Sequence, residues 1–381
     1  EQYSELINEI KKNKGYTSLN FRERLSRMAF AETAYYDSVI SDYFNKKTNT
    51  IFPSKKIFYG NLIDQLRYGE NPHQLSAIYS TNSNTGLKQI HGKQLSYNNY
   101  NDIFSGLTIS KSLPKNKGTV IIKHSNPSGV SAKKDYLESY KSAHLCDPVS
   151  AFGGIVSCNF KIKKNLALEL NKSFLEVIIA NGFSNDAFKI LKNKKNLRLI
   201  DGTNYSLNQS MKFVSFNKNI LLQSEDLDQF SSKNFKVVSK RKPTSNQLKD
   251  LIFAFNICRF VKSNAIVIAS NKTTLGIGSG QASRLDSCKI AIDKMKKLNI
   301  NTSFTVEFYK RVVVSIDWQT DNSEISNFVE QLRIMDSRKL FSVYQNSLPS
   351  LDTTYKAVCH SCGHTNEGGL PIQANFFFPK F

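Results

Sequence analysis

The chain has no apolar run approaching the roughly 20 residues that a membrane-crossing helix needs. Its first residues form neither a signal-like charged region nor an apolar one, and Met is absent from position 1, so the chain is expected to begin partway through a longer protein. Cysteine is scarce: six in 381 residues, at Cys146, Cys158, Cys258, Cys288, Cys359 and Cys362. That scarcity excludes a disulfide-stapled secreted scaffold and fits buried free thiols in a reducing cytoplasm. Acidic residues are short as well, 31 against 52 Lys and Arg, leaving a net charge of +21. No patterned basic helix and no aromatic-basic stripe gathers this surplus. It is scattered over solvated faces such as Lys161–Lys164 and Lys192–Lys195, so no nucleic-acid partner is expected. A positive field of this kind still favours small anions, phosphorylated metabolites and polyglutamate tails among them.

Two cofactor signatures are also incomplete. In Gly276-Ile277-Gly278-Ser279-Gly280 the third glycine falls one place too early for a dinucleotide fingerprint, and no acidic residue stands on a strand about 20 residues later. The stretch reads as a tight turn at a helix N-terminus, which could receive an anion. Cys359-His360-Ser361-Cys362-Gly363-His364 crowds four ligand types into six residues. Tetrahedral zinc rarely takes four ligands so close together. No His-x-Glu is present to complete a deaminase-type site, and no metal is expected.

What is present reads as an α/β chain. Hydrophobic residues are 40% and charged residues 22%, the range of ordinary globular proteins. Phe21–Tyr43 carries Leu25, Met28, Ala29, Tyr35, Tyr36, Val39 and Ile40 at helical spacing. Further on, the apolar runs Thr119–Ile122, Ile155–Cys158, Glu176–Ala180 and Leu197–Ile200 alternate with helical stretches near 136–144, 166–174 and 184–193. Such alternation indicates a sheet with parallel pairs. A helix near 245–260 and a strand at Ala265–Ala269 repeat the scheme, suggesting a second, related lobe. The expected division is an N-terminal helical segment at 1–50, a first lobe at 51–230 and a second at 231–305. Residues 306–381 fit neither lobe clearly and either stand apart or return to the first.

The chain is organised around Gly118–Ala132, GTVIIKHSNPSGVSA. Its β-branched run stops at Lys123 and His124, and Asn126-Pro127-Ser128-Gly129 reads as the turn that follows. A Lys-His pair at the carboxyl end of a buried strand lies where open α/β sheets hold ligands. The same residues also fit a plain cationic loop after an edge strand. Arg67 precedes a turn built on Asn71-Pro72; its guanidinium suits phosphate, although a solvent-facing arginine would look the same.

Seven stretches together resemble one family. They are LRYGENPHQ (66–74), GKQLSYNNYND (92–102), KHSNPSG (123–129), CDPVSAFGGIV (146–156), EVIIA (176–180), VKSNAIV (261–267) and GIGSGQASRLDS (276–287). In this order they are similar to the AICAR transformylase (phosphoribosylaminoimidazolecarboxamide formyltransferase) domain of the bifunctional purine-biosynthesis protein that also carries IMP cyclohydrolase. The resemblance implies two cytidine-deaminase-like lobes with mixed sheets flanked by helices and no catalytic zinc. It implies formyl transfer from 10-formyltetrahydrofolate to the amine of AICAR, giving FAICAR and tetrahydrofolate. His124 would be the general base, Lys123 the oxyanion stabiliser and Asn264 an orienting hydrogen-bond partner. Arg67 and Tyr68 would hold the AICAR phosphate and ring. Asn126, Ser128, Asp147, Ser150 and Phe152 would line the pocket, and Gly280, Gln281 and Arg284 would support nucleotide or folate. Family members are homodimers whose active sites use both subunits, so a homodimer is expected here, cytoplasmic and with no nucleic-acid or membrane partner.

The resemblance fades after about Ser287. Ala374–Phe381 only weakly echoes a family Ser-Asp-Ala-Phe-Phe-Pro-Phe stretch, and the cyclohydrolase portion has no counterpart here. No cyclohydrolase activity is therefore expected. The alternative to an active transformylase is a truncated or diverged remnant that binds AICAR or folate without turnover.

Overall fold

The structure is a computed structural model that describes residues 2–82, 84–207, 211–240, 242–300, 354–358 and 365–369. Two compact units divide the chain, residues 1–298 and 299–381. In the second unit the described residues beyond position 300 form one antiparallel pair, Thr354–Val358 with Thr365–Gly369. The segments 306–353 and Cys359–His364, on which the expectations about the C-terminal segment and the cysteine cluster rest, lie outside the described residues.

The first unit opens with helices α1 (Tyr3–Lys12) and α2 (Leu19–Lys47) and a small hairpin, β1 (Asn61–Leu66) with β2 (Ser76–Ser80). Strand β3 (Lys88–His91) and helix α3 (Tyr97–Ser112) lead to β4 (Thr119–Lys123) and β5 (Asn126–Ser131). There follow α4 (Tyr136–Cys146), α5 (Pro148–Ala151), β6 (Gly154–Cys158), α6 (Lys164–Lys172), β7 (Leu175–Ala180), α7 (Asn185–Leu191) and β8 (Arg198–Asp201). A separate hairpin, β9 (Met211–Phe216) with β10 (Asn219–Ser224), precedes α8 (Ser245–Cys258), β11 (Ile266–Ser270), β12 (Thr273–Gly278) and α9 (Arg284–Ile300).

Eight strands form one mixed sheet in the order β11-β12-β5-β4-β6-β7-β8-β3. The pairs β6–β7 and β7–β8 are parallel, as the strand–helix alternation predicts; the others are antiparallel. β4 is interior, flanked by β5 and β6, which removes the edge-strand reading. Strands of both expected lobes share this sheet, joined where Thr273 of β12 faces Ser131 of β5.

Both faces of the sheet are covered, which explains the unbroken apolar runs in its strands. Successive residues go to opposite sides. Ile121, Val156 and Ile178 pack with Tyr140, Phe160 and Leu170 on one face. Val120, Ile122, Ile155, Val177 and Ile179 pack with Ile103, Leu107 and Ile257 on the other. Each buried aliphatic side chain of this kind contributes roughly 1.5–3 kcal/mol.

Two local expectations are corrected. Asn126–Gly129 is the start of β5 rather than a turn: the chain reverses at His124 and Ser125, both with positive φ, 52° and 59°. The register slips between Ile121 and Ile122, so Ser128 is an extra residue opposite them, and Pro127 sits in a bulge, where it costs the ladder least. The glycine-rich stretch at 276–278 likewise is not a turn but part of β12. Its helix begins later, at Arg284.

Candidate active site

One end of the sheet gathers about half of the sequence-predicted residues, Lys123, His124, Asn126, Asn264, Gly280, Gln281 and Arg284, and the strand register shows why. Lys123, last in β4, faces Asn126, first in β5. Ile122 faces Ile155 beside the start of β6, Gly154 faces Leu175 at the start of β7, and Val177 faces Arg198 at the start of β8. The antiparallel β5–β12 pair brings Gly278 and, through its pairing with Ile266, the residues before β11 to the same end. This is the carboxyl end of β4 but the amino end of the three parallel strands, so it is not the usual ligand crevice of an open parallel sheet.

The half-buried Lys123 extends its Nζ to the carbonyl of Phe152, 2.6 Å away. Gly153, at φ 67°, leaves space for it: a Cβ there would lie 3.2 Å from the Lys123 ammonium. An ammonium has three donors, so two remain for a ligand. His124 is exposed at the head of the β4–β5 hairpin. Its backbone N–H donates to Asp102 Oδ2 at 3.2 Å, and that of Ser125 to Asp102 Oδ1 at 2.6 Å. Burial pushes the Asp102 carboxyl above the usual carboxylate range, partly offset by these two amides.

Asn126 ties the hairpin to the second group. Its Nδ2 donates to the carbonyl of His124 at 3.2 Å, and its Oδ1 accepts from the Lys262 amide at 3.0 Å. Lys262 in turn accepts at its carbonyl from the Gly280 amide, 2.8 Å away. Asn264, which follows a cis peptide bond, gives Nδ2 to the carbonyls of Gln281 and Ala282, each at 2.9 Å. Both partners are acceptors, so the amide orientation is fixed and Oδ1 is its remaining group for a ligand. Gly280 takes a positive φ of 68°, and Arg284 is exposed where α9 begins.

The side chains of the other predicted residues make separate contacts. Phe152 is exposed, its ring 5.0 Å from that of Phe174. Asp147 caps α5 by accepting from the Ser150 amide at 3.0 Å, and its other oxygen pairs with Lys294 of α9 at 2.8 Å. Burial pushes the Asp147 carboxyl up, but the Lys294 hydrogen bond and the Ser150 amide outweigh it and hold the group below its ordinary value. Ser128 is buried in the bulge of β5. Arg67 lies over the Tyr68 ring, 5.2 Å from its centre, at the β1–β2 turn. The segment carrying it reaches the sheet through Gln94, whose Nε2 donates to the Gln65 carbonyl at 2.9 Å and whose own carbonyl accepts from Arg198; burial lowers the pKa of Arg198, and the Glu176 charge opposes that.

Sequence reasoning missed Asp102, Glu176, Arg198 and Lys294. Glu176 accepts from Asn99 Nδ2 at 3.1 Å and lies 3.9 Å from Arg198, and Arg198 Nε donates to the Gln94 carbonyl at 3.4 Å. Asp102 and Glu176 fall inside two of the quoted motifs, which was an available signal. Among the described residues no group of three or more His, Cys, Asp and Glu side chains is placed to hold a metal. No helix among them is long and apolar enough to cross a membrane.

Residues 1–294 match the family described as AICARFT/IMPCHase bienzyme. The chain is also similar to proteins named bifunctional purine biosynthesis protein PurH. That of Bradyrhizobium diazoefficiens is 39% identical over 327 residues, covering 83% of this chain and 61% of the relative. That of Parvibaculum lavamentivorans is 42% identical over 300 residues, covering 77% and 56%. That of Leptospira biflexa is 39% identical over 303 residues, covering 79% and 59%. The chain thus spans 56–61% of the length of these relatives. With more than half of its residues matched, the chain belongs to the AICARFT/IMPCHase bienzyme family.

Proposed function

We propose that the chain transfers a formyl group from 10-formyltetrahydrofolate to the amine of AICAR, giving FAICAR and tetrahydrofolate in purine biosynthesis. The observation that carries this reading is the Lys123–His124 hairpin end, tied through Asn126 and Lys262 to the Asn264–Gln281 segment, in a chain of this family. The amine nitrogen attacks the formyl carbon. His124 takes the proton that the amine loses, a task suited to an imidazole near neutral pH. The oxygen of the tetrahedral intermediate gains charge, and the two remaining Lys123 donors stabilise it. Collapse breaks the bond to the folate nitrogen, which leaves with the proton that His124 took from the amine, its delivery assisted by Lys123. Asn264 presents Oδ1, so it orients substrate by accepting from the AICAR amine or carboxamide rather than by donating to the formyl oxygen.

Arg67 and Tyr68 hold the phosphate and ring. Asn126, Ser150 and Phe152 line the pocket; Asp147, paired with Lys294, and the buried Ser128 contribute by fixing its backbone. Gly280, Gln281 and Arg284 support the nucleotide or folate. We infer also the two-lobed cytidine-deaminase-like arrangement, a cytoplasmic location, and a homodimer with shared sites that sedimentation would detect. A spectrophotometric formyl-transfer assay tests the function. Folate-dependent loss of AICAR is expected, reduced about 100-fold or more by His124→Ala while the fold is retained. Unchanged turnover in that variant would overturn the assignment of His124. Binding of AICAR without transfer at any enzyme concentration would overturn the activity itself.

A further inference from the structure

The turn carrying His124 is built from residues poorly suited to it. A two-residue hairpin turn with both central residues at positive φ favours Asn-Gly or Gly-Gly. Here the pair is His124 and Ser125, at φ 52° and 59°; His enters the left-handed region more readily than most residues, but neither has the freedom of glycine and Ser has no special tolerance of it. Both amides point to one carboxylate. Asp102 Oδ2 accepts from His124 at 3.2 Å, and Oδ1 accepts from Ser125 at 2.6 Å and from its hydroxyl at 3.4 Å. Asp102 comes from α3, 22 residues back along the chain. α3 packs against β4, β5, β6 and β7, so the carboxylate is fixed relative to the sheet. The other side of the turn is closed by Asn126, whose Nδ2 donates to the His124 carbonyl at 3.2 Å.

We propose that Asp102 is the positioning residue for His124: its carboxylate, delivered by α3, binds both amides of an otherwise unfavourable turn and so sets where the imidazole stands. Its charge-assisted hydrogen bonds replace what glycine would supply by conformational freedom. The kinetic arm of its test rests on the formyl-transfer reading; the conformational arm does not.

Three variants decide it: Asp102→Ala, Asp102→Asn and the double variant Asp102→Ala with Ser125→Gly. Amide hydrogen exchange is read on the whole chain. In Asp102→Ala, exchange at His124 and Ser125 is expected to rise about tenfold or more, with the interior strands β6 and β7 unchanged. Asp102→Asn keeps one acceptor oxygen and should fall between. Glycine at position 125 suits the turn but gives the two amides no acceptor, so the double variant should keep the raised exchange while the turn regains its geometry. In formyl transfer, Asp102→Ala should lower kcat about tenfold or more with KM for AICAR within about threefold, and adding Ser125→Gly should restore much of the lost kcat because the turn again holds the imidazole in place. Unchanged exchange in Asp102→Ala overturns the proposal, as does a double variant whose kcat stays as low as that of Asp102→Ala. If Asp102→Ala does not fold, Asp102→Asn carries the same readouts. If His124→Ala turns over normally, the formyl-transfer mechanism fails while exchange still decides whether Asp102 holds the turn.

Discussion

Gly276 and Gly278, like Gly129, are positions where one added carbon would run straight into backbone. A Cβ on Gly278 would stand 1.9 Å from the Ser287 carbonyl oxygen, and one on Gly276 2.0 Å from that of Ala291. Both obstacles are backbone of α9, so no side chain can swing aside. Gly278→Ala is expected to cost about 3 kcal/mol or more, read from urea denaturation; a loss below about 1 kcal/mol would mean that α9 shifts freely. Asp147 offers a test of different sign and origin. Its carboxyl is held below its ordinary value by Lys294, so its contribution to stability is present above the unfolded pKa of about 4 and is lost as pH falls through the lower folded one. Lys294→Met should therefore lower Tm by a constant amount near neutrality, and the gap should close in acid. A gap independent of pH would show that Lys294 acts through packing alone.

At the scale of elements, α3 is the member that ties the site together. Its first turn is closed by a capping box: Ser96 Oγ accepts from the Asn99 amide, and Asn99 Oδ1 accepts from the Ser96 amide. One turn on, the same helix carries Asp102 to the hairpin, while Asn99 also donates to Glu176. Ser96→Ala should cost about 1 kcal/mol by denaturant titration. Elements of this kind were legible because their signals are local. β4, β6 and β7 announce themselves as apolar runs, since both faces of the sheet are covered, and α4 and α6–α8 were legible from helical spacing. The hairpin turn was not legible. Asn126-Pro127-Ser128-Gly129 has turn composition, but the true turn lies two residues earlier, at residues whose own preference opposes it. What overrides that preference is Asp102, a distant partner. β12 was misread for a related reason: a glycine needed for close strand–helix approach and one needed for a turn look identical in sequence. Lys123, His124, Asn126 and Asn264 could be named from motifs; the Asp147–Lys294 and Glu176–Arg198 pairs needed the register of five strands and α9.

For the whole molecule, the surplus of 52 basic over 31 acidic residues has a consequence separate from any single contact. The two substrates proposed for the site are anionic, one a phosphate and the other a carboxylate-bearing folate. A net charge of +21 would raise their local concentration by long-range attraction, which salt screens over about 10 Å at 0.1 M. The chemistry at Lys123 and His124 involves short contacts and is screened far less. The two contributions therefore separate on a salt titration. Raising ionic strength from about 0.02 to 0.3 M should lower kcat/KM for AICAR several-fold while kcat stays within about twofold. Neutralising scattered pairs such as Lys163 and Lys164 by substitution with Gln should flatten that slope without touching kcat. A slope that survives their removal, but disappears in Arg67→Gln, would place the salt sensitivity in one local phosphate contact rather than in the field of the whole chain.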